Sequence, residues 1–120
     1  MDARLKMDAW LNTEAQCLRF YVQEGMRHAH QPIAEWLFDQ AQAAGISGGT
    51  VFRAAAGFGR HGLHEDHFFE LAGTLPEAVE FIATPEAVES MLASIRADGL
   101  RLFYVSYKVT CGVTCRVTGV

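Results

Sequence analysis

Ala78-Val79-Glu80-Phe81-Ile82-Ala83-Thr84-Pro85-Glu86 decides the fold, because it holds a strand, a helix start and the boundary between them. Val79 and Phe81 fall to one side and Glu80 and Ile82 to the other, the period of a strand with one buried face. Thr84 is a strong N-cap, Pro85 suits a first helical position that needs no N–H, and Glu86 puts an acid at the positive end of the helix dipole. Val88, Met91, Leu92 and Ile95 share one face of the helix that follows, while Glu86, Glu89 and Arg96 lie away from it. Asp98-Gly99 ends that helix, and Leu100 to Val109 reads as a further strand.

The same order stands upstream. In Cys17 to Gln23, Leu18, Phe20 and Val22 alternate with Arg19, Tyr21 and Gln23, which predicts a half-buried strand. Glu24 to Gln31 is a polar connection, and Pro32 suits the first turn of a helix. Ile33, Ala34, Leu37, Phe38, Ala41 and Ala44 form an apolar stripe with Trp36 on its border, and Gly45 is a stop. Gly48-Gly49 turns the chain into a strand over Thr50 to Phe58, which Gly57-Phe58-Gly59 closes. A long connection over 59–76 then leads to the third strand. Two β-α-β units of this kind predict an α+β, ferredoxin-like βαββαβ fold: one four-stranded antiparallel sheet with both helices on one face. Residues 1–16 read as an extension with one short helix, 17–109 as the domain and 110–120 as a tail carrying a cysteine pair.

A chain of 120 residues, half of them apolar, is one domain with a buried core. The net charge of −4, with the basic residues scattered, argues against a nucleic-acid partner. Three cysteines, an odd count, with no secretory segment and no run long enough to cross a bilayer, point to the reducing cytoplasm. The sheet face away from the helices is expected to carry Arg19, Tyr21, Arg53 and Glu80, with Phe103, Tyr104 or Tyr107 joining according to register. A mixed face rich in Tyr and Arg fits contact with neighbouring subunits.

Several residues are candidates for chemistry. His61, His64 and His67 recur every third residue with Glu65, Asp66 and Glu70 nearby, a donor set suited to a divalent metal; the plainer reading is a polar loop that happens to hold histidines. His28 and His30 join such a site only if the fold brings them close. Arg53 with Gly57-Phe58-Gly59 offers a guanidinium and open backbone for a phosphate, or alternatively a subunit-contact ion pair with Glu80 and a simple turn. Glu24 and Arg27 sit where a ligand at strand ends would lie, or are solvated loop charges. Cys111 and Cys115 are a redox pair or two unrelated thiols, and Cys17 is a buried strand residue. Trp10 and Trp36 are expected at surfaces or subunit edges.

An enzyme is not expected. Val22-Gln23-Glu24-Gly25-Met26-Arg27 superficially resembles an acylphosphatase phosphate loop, but Glu24 stands where a glycine is needed and would repel the phosphate. No nucleophile-and-base arrangement stands out.

Leu18-Arg19-Phe20-Tyr21-Val22-Gln23-Glu24, Gly49-Thr50-Val51-Phe52-Arg53 running to Gly57-Phe58-Gly59, His64 after Leu63, and Leu75-Pro76 running to Glu80 and Thr84-Pro85-Glu86 share order and spacing with one family. Over roughly residues 17–108 the chain resembles the domain-of-unknown-function family "one-ninety" of the PII-like (GlnB-like) superfamily. The resemblance implies a homotrimer that binds an adenine nucleotide or related small effector in clefts between subunits. It also implies that the loop after the second strand signals to a partner, and the family is associated with membrane transport proteins, including fluoride channels. The ligand-binding candidates are therefore Glu24, Arg27, Arg53, Gly57, Phe58 and Gly59, with His64 from the family stretch. The tail pair Cys111 and Cys115 is similar to a redox-sensitive disulfide of some carbon-metabolism PII-like proteins. The alternative is a trimeric metal-binding protein like the CutA group, using the loop histidines.

Overall fold

The computed structural model describes residues 12–58 and 75–115. Their elements are β1 (Thr13–Gln23), β2 (Arg27–His28), β3 (Gln31–Pro32), α1 (Ile33–Ala43), β4 (Gly49–Arg53), β5 (Pro76–Ala83), α2 (Pro85–Ala97) and β6 (Phe103–Cys111). The main sheet has the order β4-β5-β1-β6 with every neighbour antiparallel. The first strand lies between two strands of the second half, so the halves interleave, as the ferredoxin-like reading requires.

Both helices pack on one face. Leu18, Phe20 and Val22 of β1 and Val79, Phe81 and Ala83 of β5 meet Ile33, Trp36, Leu37 and Ala41 of α1 and Ala87, Val88, Met91, Leu92 and Ile95 of α2. Phe81 is the hub, with the Phe20 and Phe38 rings both set edge-on to it at centroid distances of 6.4 and 6.0 Å. Trp36 is 5% exposed and so belongs to the core instead of a surface or subunit edge. The stripe is wider than the sequence pattern suggests because the β2–β3 hairpin covers it from the side, with His28 edge-on to the indole at 4.6 Å.

The helix ends follow their caps. The Thr84 hydroxyl accepts from the Ala87 amide at 3.1 Å. At the end of α1, Gly45 takes φ +85° while Ile46 donates to the Ala41 carbonyl and Gly45 to that of Gln42, a Schellman closure that seats Ile46 in the core. Pro32 stands at the N-cap of α1, one position ahead of the turn the sequence suggested.

Several strand boundaries differ from expectation. β1 starts at Thr13, because Thr13 to Gln16 find partners in the far end of β6. β4 stops at Arg53 instead of reaching Phe58: the Ala54 amide makes a last bond to the Pro76 carbonyl, and β5 begins at Pro76, which has no N–H to extend the ladder. β6 is shifted by about two residues, to Phe103–Cys111. β4 can lie against the core only because its first residue is glycine. A Cβ on Gly49 would stand 2.5 Å from Cε1 of Phe81 and 3.0 Å from Cε1 of Phe38.

Candidate functional site

The antiparallel register fixes what lies on the sheet face opposite the helices. Its rows are Phe52, Ala78, Tyr21 and Phe103; Thr50, Glu80, Arg19 and Val105; Ile82, Cys17 and Tyr107; and Ala15 with Val109. Phe103 and Tyr107 therefore join this face, whereas Tyr104 lies on the helix side against Phe20. The large apolar side chains here are open to solvent: Tyr21 42%, Phe52 52%, Ile82 40%, Phe103 68% and Tyr107 45% exposed. Large exposed apolar side chains gathered on one sheet face mark an interaction site.

A polar island stands at its centre. Arg19 donates from Nε and Nη2 to Oε1 of Glu80 at 2.9 and 2.6 Å, from Nη2 to the Tyr107 hydroxyl at 3.1 Å and from Nη1 to the Tyr21 hydroxyl at 3.3 Å. Those bonds hold the guanidinium pKa above its usual value, the Tyr21 and Glu80 bonds contributing most. Cys17 beneath it is 2% exposed, and burial pushes its thiol pKa up, with the Glu80 charge adding to the effect. The thiol contact in turn raises the Tyr107 phenol. The island is satisfied within one chain, so the face can be covered without a partner's charge.

Arg53 is not on this face. Phe52 opposes Ala78 there, and alternation turns Arg53 to the other side, opposite Glu77 and in line with Val22. Its expected place on the open face is thereby overturned, and within the chain Glu80 pairs with Arg19. Arg53 instead reaches Oε2 of Glu77 from Nη2 at 3.3 Å and Nε at 3.4 Å, and Oε2 of Glu24 from Nη2 at 3.5 Å. The cluster closes the ends of three strands, where the Glu24 amide also bonds the Leu75 carbonyl at 2.9 Å. Gly57 lies beside Pro76, and Phe58 is 71% exposed.

Arg27 is directed elsewhere, its Nη2 donating to the His30 carbonyl at 2.8 Å inside the β2–β3 hairpin. His28 meets Asp98 at the C-cap of α2 through Nε2 and Oδ2. Gly59, His61, His64 and His67 lie outside the described residues, and among those described no group of three or more His, Cys, Asp or Glu is arranged to hold a metal. Cys111 is half-buried, Cys115 is exposed, and both are free thiols. No helix among the described residues is long and apolar enough to cross a membrane. Sequence reasoning missed Glu77; the signal for it was the pairing of two strand ends around Arg53, readable only with the register in hand.

Comparison with known proteins agrees with this frame. The model of the DUF190 family, described as "Uncharacterized ACR", matches residues 15–100. A UPF0166 protein of Aquifex aeolicus is 32% identical over 80 residues, covering 66% of this chain and 76% of that protein. The fold is similar to that of CPII, a nitrogen regulatory PII-like protein from Thiomonas intermedia K12 solved with ADP, AMP and bicarbonate. That likeness has a TM-score of 0.60 at 17% identity and covers 85% of this chain and 99% of that one. A second CPII structure, with ADP and bicarbonate, gives 0.57 at 21% identity over 87% and 94%. The chain belongs to the DUF190 family and has the fold of the PII-like proteins.

Proposed function

We propose that this chain is a PII-like signalling protein: a homotrimer whose copies cover one another's open sheet faces and which binds an adenine nucleotide near Glu24, Arg53 and Gly57. It is a binding protein that turns nothing over, and it works in the cytoplasm. The observation that carries this reading is the open face, with five large apolar side chains around a self-paired Arg19–Glu80 island. In a lone chain that face leaves tyrosine, phenylalanine and isoleucine in water. Against sister chains it gains the hydrophobic term without stranding a charge. The nucleotide part is supported by the exposed Arg53 guanidinium at the strand ends and by the ADP and AMP held by CPII, a protein of the same fold. The target, a membrane transport protein engaged through residues 59–76, follows from the family resemblance alone.

The test is thermal unfolding of the full chain with ADP or AMP. A ligand at a hundred times its Kd adds about 2.7 kcal/mol, a shift on the order of 10 °C for a domain of this size. An unchanged midpoint at millimolar ADP and AMP contradicts the nucleotide assignment.

A further inference from the structure

We infer that Glu77, aided by Glu24, is an internal competitor for Arg53 and so sets how tightly the strand-end site holds an anionic ligand. The inference rests on the nucleotide reading above and deepens it.

One guanidinium faces two carboxylates, so the cluster carries a net charge of −1. The contacts are loose. Their 3.3–3.5 Å separations exceed the about 2.7–2.9 Å of a well-made charge-assisted bond. Exposure is uneven: the Glu77 side chain is 12% exposed, that of Glu24 35% and that of Arg53 62%. The cation is therefore the accessible member, and a carboxylate sits behind it at the start of β5.

A phosphate group approaching this point meets an attractive guanidinium whose charge is already offset. It gains the Nε–Nη2 edge of Arg53, one of the two guanidinium edges able to grip a phosphate in a two-bond fork, only by displacing Glu77. Two carboxylates left beside the bound phosphate then repel it. A site built only for tight anion capture would lack Glu77. A site that must release its ligand as cellular concentration falls is served by it.

The consequence is a gain of affinity on removing an acid. Each exposed pair of this kind is worth little, so neutralising Glu77 should tighten ADP binding by about 1.5- to 5-fold. The experiment is calorimetric titration of ADP into the full wild-type chain and into Glu77→Gln, Glu24→Gln, Arg53→Gln and the Glu77→Gln/Arg53→Gln double variant, each checked by its melting curve. The inference expects Glu77→Gln to bind ADP more tightly, Glu24→Gln to do so to a smaller degree, Arg53→Gln to bind more weakly, and the gain to vanish in the double variant. Unchanged or weaker binding by a folded Glu77→Gln chain overturns it while leaving the nucleotide reading intact. A gain that survives in the double variant overturns it too, since Arg53 would not be the mediator. No binding of ADP, or of AMP titrated in the same way, by the wild-type chain overturns the nucleotide reading, and this inference with it.

Discussion

Replacing Glu80 by alanine should break the assembly of the protein while leaving the single chain folded. The carboxylate takes two hydrogen bonds from Arg19, at 2.9 and 2.6 Å, and the two side chains are 18% and 29% exposed. In a lone chain the freed guanidinium keeps the Tyr21 and Tyr107 hydroxyls and reaches water, so the loss is about 1 kcal/mol or less. Once a sister chain covers the face, the same guanidinium is buried without its counter-charge. Removing one partner of a buried pair costs about 3–5 kcal/mol. That is roughly a hundred- to several-thousand-fold in association for each chain added. Sedimentation of the wild-type and variant chains over a dilution series reads the difference, with melting of the dilute variant as the check on folding. The double variant Arg19→Met/Glu80→Leu should assemble again, because apolar side chains of similar size replace a buried pair at little or no cost. The reasoning fails if Glu80→Ala assembles as the wild type does, or if the double variant is no better than the single one.

Two further outcomes follow from the geometry. Gly49→Val should destabilise the chain by about 1–3 kcal/mol, because its side chain would enter the space of the Phe81 and Phe38 rings; urea unfolding measures it, and an unchanged midpoint contradicts the close approach. Burial raises the Cys17 thiol pKa above its ordinary 9.0, so the unfolded chain loses that proton first as pH rises. The contribution is fully present below pH 9 and is lost progressively above it; Cys17→Ala should flatten this part of a stability-against-pH curve, and an identical slope in both proteins refutes the coupling.

Much of the fold was legible because its signals are local. The alternation of Leu18, Phe20 and Val22 and the Thr84-Pro85 cap are set by residues a few positions apart. What was not legible depends on pairing. Arg53 was expected on the open sheet face, but a strand's facing is settled by its partner, and Ala78 opposite Phe52 sends Arg53 to the other side, beside Glu77. The end of β4 was hidden for the same reason, since it is set by Pro76 on the neighbouring strand. The β2–β3 hairpin turns on Ala29 and His30, at φ 50° and 67°, where no glycine or asparagine announces a left-handed turn. Trp36 looked marginal because the hairpin that buries it was read as an open connection. Of the candidate site, Glu24 and Arg53 were brought together, whereas Arg27 was drawn into its own hairpin.

The central claim is that the apolar sheet face is covered by sister chains. The most direct test is the solution mass of the unmodified protein by light scattering across micromolar concentrations. The account predicts three times the 13.2 kDa of one chain. A particle of single-chain mass throughout that range, with Tyr21, Phe103 and Tyr107 left in water, contradicts it.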